Sequence, residues 1–240
     1  MKIGDVRDHI SYSAISKYLR CPRQWYYDYV VAPEEKEENL SLTLGTVYHT
    51  ALERLYADRD YESGLAAFKE ISANHGRRAH REVEGIIECY KQYYLSVYPK
   101  YATRVESVEL KGTVAIPGVE VPLEYRMDLV TTDGIIIDHK TVGRMEPDLE
   151  HSLQFDLYAY VFYKQNGVLP RGAEYHYAYK DSGKVKVVSK VPKISEMLKA
   201  VACAEGMAKG VEADNFMPTY GKHCEWCPYK ELCDREFGLI

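Results

Sequence analysis

The stretch Tyr125–Val142, YRMDLVTTDGIIIDHKTV, predicts the centre of the fold. Two strand-like runs meet at Asp133-Gly134, a dipeptide that favours the tight turn of a β-hairpin. The second run contains three consecutive isoleucines, Ile135–Ile137, which indicate a buried strand, and it ends in the polar triplet Asp138–Lys140. Charged residues at the end of a buried strand mark a candidate site.

The polar triplet predicts a metal site for phosphate chemistry. Strand side chains alternate, so Asp138 and Lys140 point to one face and His139 to the other. Asp128, in the partner run, supplies a second carboxylate, and a hard divalent cation would offset the repulsion between the two acids. A cation beside a lysine suits phosphate hydrolysis. A solvated ion pair between Asp138 and Lys140 is the alternative, because such pairs are common at strand ends.

Composition indicates a folded globular protein without membrane spans. The chain has 240 residues, of which 46% are hydrophobic and 28% charged, and this length is enough for one large α/β domain or two small ones. Its net charge of −5 argues against a protein that coats polyanions without specificity, but it allows a local basic groove. Charges in the first ten residues argue against a secretion signal and predict a cytoplasmic protein.

Periodicity predicts helices around an antiparallel meander. A helix over Leu40–Ala57 carries Gly45 and His49 one turn apart, where the glycine permits close approach of another backbone. A helix over Leu149–Asn166 carries Gln154 and Tyr158 on one face. Glu109, on the first strand of the meander, is a secondary candidate for the site. The remaining predicted elements include strands Gly172–Lys180 and Lys184–Lys190 and a helix over Lys193–Lys209.

Four cysteines predict a second centre. Cys224, Cys227 and Cys233 have the spacing C-x2-C-x5-C in a segment expected to be irregular, and Cys21 precedes Pro22 at a helix break. In a cytoplasmic protein such cysteines indicate metal or redox use before disulfides. Zinc and an iron–sulfur cluster both accept four thiolates, so the spacing leaves both open.

Five sequence motifs, in the order in which they occur along the chain, resemble those of the RecB-like branch of the PD-(D/E)XK nuclease superfamily. The iron–sulfur members are the most similar, among them CRISPR-adaptation nucleases, the AddB nuclease domain and phage exonucleases. Many of these relatives have a glycine shortly before the first aspartate, where this chain has Tyr125–Met127. The motifs are G-x3-H at Gly45–His49, Asp128, D-x-K at Asp138–Lys140, Q-x3-Y at Gln154–Tyr158, and the four cysteines.

The resemblance implies an α/β (α+β) fold with a restriction-endonuclease-like core. A central mixed β-sheet would be flanked by helices, and the N- and C-terminal segments would be joined by the cysteine centre. The expectation is a single nuclease domain over residues 1–240, with a core at about 100–192 and a helical region at 40–99. The iron–sulfur segment would be formed by residues 11–30 and 211–235.

The resemblance also implies a role for each motif residue. Lys140 would be catalytic, and Gln154 and Tyr158 would position DNA. The metal ligands would be His49, Asp128, Asp138 and the backbone carbonyl of His139. A [4Fe–4S] cluster would be held by Cys21, Cys224, Cys227 and Cys233.

The expected activity is metal-dependent hydrolysis of DNA phosphodiester bonds by an exonuclease acting on single strands or ends. Because His49 offers an imidazole, Mn²⁺ should support cleavage at least as well as Mg²⁺. The sequence contains no G-x4-G-K-[ST] motif, so unwinding would need a helicase, or a partner in CRISPR adaptation or phage recombination. The alternative is a non-catalytic DNA-binding or assembly subunit whose cysteine site is structural or redox-sensing.

Overall fold

The structure is a computed structural model that describes residues 2–31, 40–70, 77–143 and 152–238. Its central element is a mixed six-stranded sheet. The strands are β1 (Ile10–Ser11), β2 (Val105–Val114), β3 (Leu123–Thr131), β4 (Ile135–Val142), β5 (Gly172–Tyr179) and β6 (Lys184–Lys190). Their order is β1-β3-β4-β5-β6, with β2 paired to β3 beside this path.

The sheet combines parallel and antiparallel pairs. β3 and β4 are antiparallel, as are β5 and β6, whereas β1 runs parallel to β3 and β4 runs parallel to β5. The fold class predicted from the sequence, a mixed sheet flanked by helices, is confirmed.

The predicted hairpin forms as expected. Leu129 pairs with Ile137 across β3 and β4, and the amide of Gly134 donates to the carbonyl of Thr131 over 2.8 Å. Gly134 has φ +78°, a conformation that costs glycine little because it has no Cβ. The local sequence therefore sets the register of the strand that ends in the polar triplet.

Some of the helices begin or end at residues with recognisable capping chemistry. The side chain of Ser11 accepts from the amide of Ala14 at the first helix, and Gly167 ends another helix with φ +74°. Within the described residues the helices are α1 (Tyr12–Arg20), α2 (Pro22–Tyr26), α3 (Leu40–Asp58), α4 (Tyr61–Ala66), α5 (Arg77–Ser96), α6 (Tyr98–Tyr101), α7 (Leu153–Asn166), α8 (Ile194–Glu212) and α9 (Lys230–Glu236).

The structure differs from the sequence predictions at two segments, one before α7 and one after α8. The helix predicted from Leu149 is described from Leu153, and residues 149–151 lie outside the described ranges. The prediction of an irregular segment after α8 was wrong in part, because Lys222–Trp226 forms a 3₁₀ helix and α9 follows. Helix α9 begins two residues after Pro228, and the amide of Cys233 donates to the carbonyl of Tyr229 over 2.9 Å.

The chain divides into two compact units. The larger comprises Glu37–Lys111 and Arg126–Ile194, and the smaller comprises Met1–Lys36, Gly112–Tyr125 and Ser195–Ile240. That residues 1–240 form a single nuclease domain stays a prediction. None of the helices within the described ranges is both long and apolar enough to cross a membrane.

The core of the larger unit lies between the sheet and helices α3 and α5. Leu52 on α3 and Tyr90 on α5 are almost fully buried, as are Leu129 and Ile137 of the hairpin. Burying a side chain of this size contributes about 1.5–3 kcal/mol relative to leaving it exposed. This packing fixes α3 against β4, where the candidate site is formed.

An aromatic cluster forms the core of the smaller unit. Trp25 is fully buried, and its ring packs edge-on against Tyr18 and parallel to Phe216 with 5.9 Å between the centroids in each case. The hydroxyl of Tyr18 donates to the carbonyl of Asn215 over 2.8 Å. Trp25, one of the aromatic residues after Cys21, is thus a core residue. Its contacts and those of Tyr18 join the first helices to the segment after α8.

Candidate active site

Asp138 and Lys140 lie side by side where the buried strand β4 ends. Lys140 Nζ is 2.7 Å from Asp138 Oδ2, and the Asp138 side chain is 3% exposed. This is more than the solvated ion pair considered from the sequence, because the carboxylate is out of water. The ring of His139 points to the opposite face, where it packs edge-on against Tyr93 and His176.

Asp128 on β3 brings a second buried carboxylate to the same place. The pairing of Leu129 with Ile137, continued by one residue, sets Asp128 opposite Asp138. The backbone amide of His139 donates to Asp128 Oδ2 over 2.6 Å. The hairpin therefore holds two acids next to each other, as the sequence predicted.

Helix α3 adds an imidazole to this pair. His49 Nδ1 lies 3.4 Å from Asp128 Oδ1, and the His49 side chain is 30% exposed. One turn earlier, a Cβ on Gly45 would lie 3.3 Å from Thr141 Oγ1, so a larger residue would require the Thr141 side chain to shift by a few tenths of an ångström. The neighbour of Gly45 is thus the Thr141 side chain, whereas the sequence predicted another backbone, and His49 lies within reach of Asp128.

Glu109 on β2 completes a compact group of ligand atoms. One ligand atom each from His49, Glu109 and Asp128 lie within 4.8 Å of one another, the only such trio among the described histidine, cysteine and acidic residues. Glu109 also pairs with the guanidinium of Arg126. The sequence does not predict that Arg126, which lies where many relatives have a glycine, is a neighbour of Glu109 and Asp128.

Gln154 and Tyr158 lie on the face of α7 that meets Asp138. Gln154 Nε2 donates to Asp138 Oδ1 over 2.7 Å and to the Tyr158 hydroxyl over 3.1 Å. The Tyr158 hydroxyl in turn donates to the carbonyl of Arg126. Both side chains are buried, so in this arrangement they order the acids of the hairpin.

Burial and charge act in opposite directions on the two acids. Burial alone would raise the pKa of Asp128, but the His49 imidazole and the His139 amide lower it. Burial raises the pKa of Asp138, the Asp128 charge raises it further, and Lys140 opposes both. Burial would lower the pKa of His49, but the Asp128 carboxylate raises it. The pair thus resists carrying two negative charges without a cation.

A buried polar cluster lies behind the ring of His139. The Tyr93 hydroxyl contacts His176 Nδ1 at 2.9 Å, and His176 Nε2 contacts Glu174 Oε2 at 3.0 Å. Burial lowers the pKa of His176, and Glu174 opposes the shift. This cluster is not predictable from the sequence, because its members come from α5 and β5 and share no local motif.

The acids and Lys140 face an open cleft of about 590 Å³. Asp138 Oδ2 is buried and, among the described residues, accepts no hydrogen bond of regular geometry, although the Lys140 ammonium lies beside it. Carboxylate oxygens and an imidazole nitrogen are suitable ligands for a divalent cation. The donor set therefore fits such an ion. The cleft is lined by Leu42, Gly45, Thr46, His49, Thr50, Glu53, Arg126, Asp128, Asp138, Lys140, Thr141, Gln154 and Tyr158.

The four motif cysteines line one cavity in the smaller unit. This cavity of about 180 Å³ includes Cys21 from the break between α1 and α2 and Cys224, Cys227 and Cys233 from the last segment. Cys21 is buried, and its sulfur accepts from the amide of Thr219 over 3.5 Å. All four thiols are free of disulfide bonds. We call this space the cysteine cavity.

Comparison with known proteins identifies the family. A crystal structure of a candidate exonuclease from Eubacterium rectale shares the fold, with a TM-score of 0.62 at 13% sequence identity, over 92% of this chain and 88% of that one. The crystal structure of SSO0001 aligns over 92% of each chain at 16% identity with a TM-score of 0.42. No curated protein matches the chain. The PD-(D/E)XK nuclease superfamily model matches residues 9–234, so the chain belongs to this superfamily and is a nuclease by family.

Proposed function

We propose that the protein is a metal-dependent DNA exonuclease that acts on single strands or DNA ends. The observation that carries this proposal is the convergence of His49, Asp128, Asp138 and Lys140 on one open cleft. Nucleases of this superfamily use divalent metal ions, and the ligand atoms of His49, Glu109 and Asp128 are close enough to share one.

The acids and the imidazole would hold the cation, and Lys140 would act on the substrate. When bound, a divalent ion activates water and neutralises phosphate charge. The Lys140 side chain is 28% exposed at the cleft, so its ammonium group can orient the nucleophile or offset charge that develops on the phosphate. Asp138 holds Lys140 in this position at 2.7 Å, and Gln154 holds Asp138.

Cation preference follows from the ligand types. An imidazole ligand suits Mn²⁺ better than it suits Mg²⁺, which prefers oxygen. We therefore propose that Mn²⁺ supports cleavage at least as well as Mg²⁺. Cleavage in Mg²⁺ alone would count against His49 as a ligand.

The exonuclease assignment and the need for a partner rest on two observations. The structurally similar protein from Eubacterium rectale is described as a candidate exonuclease. The sequence contains no P-loop motif for ATP-driven unwinding. We infer that a separate helicase, or a partner in CRISPR adaptation or phage recombination, supplies the single strand.

We further propose that the cysteine cavity holds a [4Fe–4S] cluster that stabilises the smaller unit. The cavity brings the four motif cysteines together, and none of them is in a disulfide bond, so all four are available as thiolate ligands. A [4Fe–4S] cluster takes four thiolates, each on a separate iron atom, and zinc is the alternative occupant.

A nuclease time course tests the proposed activity. Linear single-stranded DNA labelled at the 5′ or the 3′ end is incubated with Mn²⁺ beside covalently closed single-stranded circles. The wild type should degrade the linear substrate from an end and leave the circles intact. Cleavage of the circles would contradict the exonuclease assignment and support an endonuclease.

Two lysine variants make the test specific. Lys140→Ala should lower the cleavage rate at least about a hundredfold, because the cationic group at the reacting phosphate is lost. Lys184→Ala, an exposed lysine on β6, should cleave at the wild-type rate. Cleavage by Lys140→Ala at the wild-type rate would refute the proposal. DNA binding without cleavage by the wild type would support a DNA-binding subunit instead.

A further inference from the structure

Glu109 has a backbone conformation that is unusual within a strand. Its φ is +51°, and within the described residues only two other non-glycine residues, Arg59 and Asp214, have positive φ. A left-handed residue interrupts the regular alternation of strand side chains and turns its own side chain to a different face. Such a conformation costs free energy for any residue with a Cβ, and it persists only where the surrounding contacts hold the residue in place.

The Glu109 carboxylate is directed towards the ligand atoms of the candidate site. The side chain is 12% exposed although the strand is half-buried. One of its oxygens lies within 4.8 Å of ligand atoms from His49 and Asp128. This makes it the third donor of the compact trio, whereas Asp138 contacts Lys140 and Gln154.

Arg126 is the present partner of this carboxylate. It lies two residues before Asp128 on β3, hence on the same face, and its Nε contacts Glu109 Oε2. The Arg126 side chain is 66% exposed at the cleft, so its position is fixed mainly by this ion pair. Burial and the Asp128 charge raise the pKa of Glu109, and Arg126 opposes them. A positive charge therefore stabilises the glutamate form at this position.

We propose that Glu109 is an additional ligand of the divalent cation held by His49 and Asp128, and that Arg126 competes with this cation for the Glu109 carboxylate. The inference rests on the proposed function, because it assigns a further ligand to the same metal site. A role as metal ligand explains why Glu109, on β2 and close to Asp128, has a left-handed backbone conformation. It also makes Arg126 a determinant of metal affinity without being a ligand.

Calorimetric titration of the purified full-length protein with MnCl₂, without DNA, tests the inference. Glu109→Gln keeps the size of the side chain and should weaken Mn²⁺ binding at least about tenfold, because a charged ligand is lost. Glu109→Asp, which keeps the charge, should bind more tightly than Glu109→Gln. Arg126→Ala should bind Mn²⁺ up to about fivefold more tightly than the wild type, the range expected for losing an exposed ionic competitor.

Two further variants separate the possible outcomes. Glu106→Gln changes an exposed glutamate on the same strand and should leave Mn²⁺ affinity unchanged. Asp128→Asn should abolish tight binding. If Asp128→Asn loses binding while Glu109→Gln binds as the wild type does, Glu109 is not a ligand and the proposed function stands. If Arg126→Ala binds more weakly, the competition is refuted. If Asp128→Asn binds normally, the metal site itself is wrong.

Discussion

Gln154 Nε2 donates a hydrogen bond to Asp138 Oδ1 over 2.7 Å, and both side chains are buried. This bond connects α7 to the end of β4. It also compensates part of the cost of keeping a carboxylate away from water. The residue that the sequence assigned to DNA contact is therefore also a structural support for the acid beside it.

The first prediction concerns this bond. Gln154→Leu should lower the free energy of unfolding by about 1–3 kcal/mol, because a buried carboxylate oxygen loses its donor. Urea denaturation measures the change. Gln92→Leu is the matched control, since Gln92 Nε2 donates to Glu88 Oε1 over 3.0 Å on an exposed surface. The control should change the unfolding free energy by less than about 0.5 kcal/mol. Equal effects of the two substitutions would contradict the argument.

The second prediction concerns pH. Asp133 Oδ2 accepts from Arg104 over 3.0 Å and from Arg171 over 2.8 Å. The nearby Thr131 hydroxyl and the two guanidinium groups lower the pKa of Asp133 from its ordinary value of 3.8. Because the folded pKa is below the unfolded one, the charge stabilises the fold fully above the unfolded pKa. This stabilisation is lost as the pH falls through the folded pKa.

Asp133→Asn tests this dependence, because asparagine is accepted in the same turn. The variant should be less stable than the wild type near pH 7, by about 1 kcal/mol or less per exposed ion pair. The difference should shrink as the pH falls below about 4. Urea denaturation at both ends of this range measures it. A difference that grows in acid would have the wrong sign for a lowered pKa.

The third prediction compares two helical glycines. A Cβ on Gly85 of α5 would lie 1.8 Å from the backbone carbonyl oxygen of Lys180, whereas a Cβ on Gly206 of α8 would meet nothing within 4 Å. Gly85→Ala should therefore lower the melting temperature, because α5 must move away from the chain at the end of β5. Gly206→Ala should raise stability by about 0.5–1 kcal/mol through helix propensity. Similar effects at both sites would show that the close approach at Gly85 is unimportant.

The fourth prediction concerns the cysteine cavity. Protein purified without oxygen should contain iron and sulfide and absorb visible light, and Cys224→Ser should lose both and become less stable by several kcal/mol in the chain-entropy model. Cys203→Ser, on α8 outside the cavity, is the control and should keep the iron. A colourless wild type loaded with zinc would refute the cluster.

The hairpin and its acids could be predicted because their signals are local. Asp133-Gly134 marks the turn, three isoleucines mark the buried strand, and the side-chain period of two fixes the face of Asp138 and Lys140. The spacing between Gly45 and His49 similarly requires only the helical period. Each of these relations connects residues that are close in sequence or joined by a tight turn.

Other parts of the site depend on contacts that the helical and strand periods of the sequence do not predict. Glu109, whose carboxylate approaches Asp128, itself has a left-handed backbone conformation. This conformation breaks the alternation of side chains from which the faces of a strand are predicted. The cluster of Tyr93, Glu174 and His176 joins two distant elements and has no spacing motif. Helix α9 was not predicted because the proline and cysteines before it suggest irregular structure, although the hydrogen bonds of this short helix join residues that are close in sequence.

The cysteine cavity has a consequence for the order of events during translation. It is built by Cys21 and by three cysteines that follow about 200 residues later, so no ribosome can expose a complete cavity before Cys233 has been synthesised. His49, Glu109, Asp128, Asp138 and Lys140 all belong to the larger unit, whose last residue is Ile194. A nascent chain therefore carries every residue of the candidate active site before it can bind the cofactor proposed for the cavity.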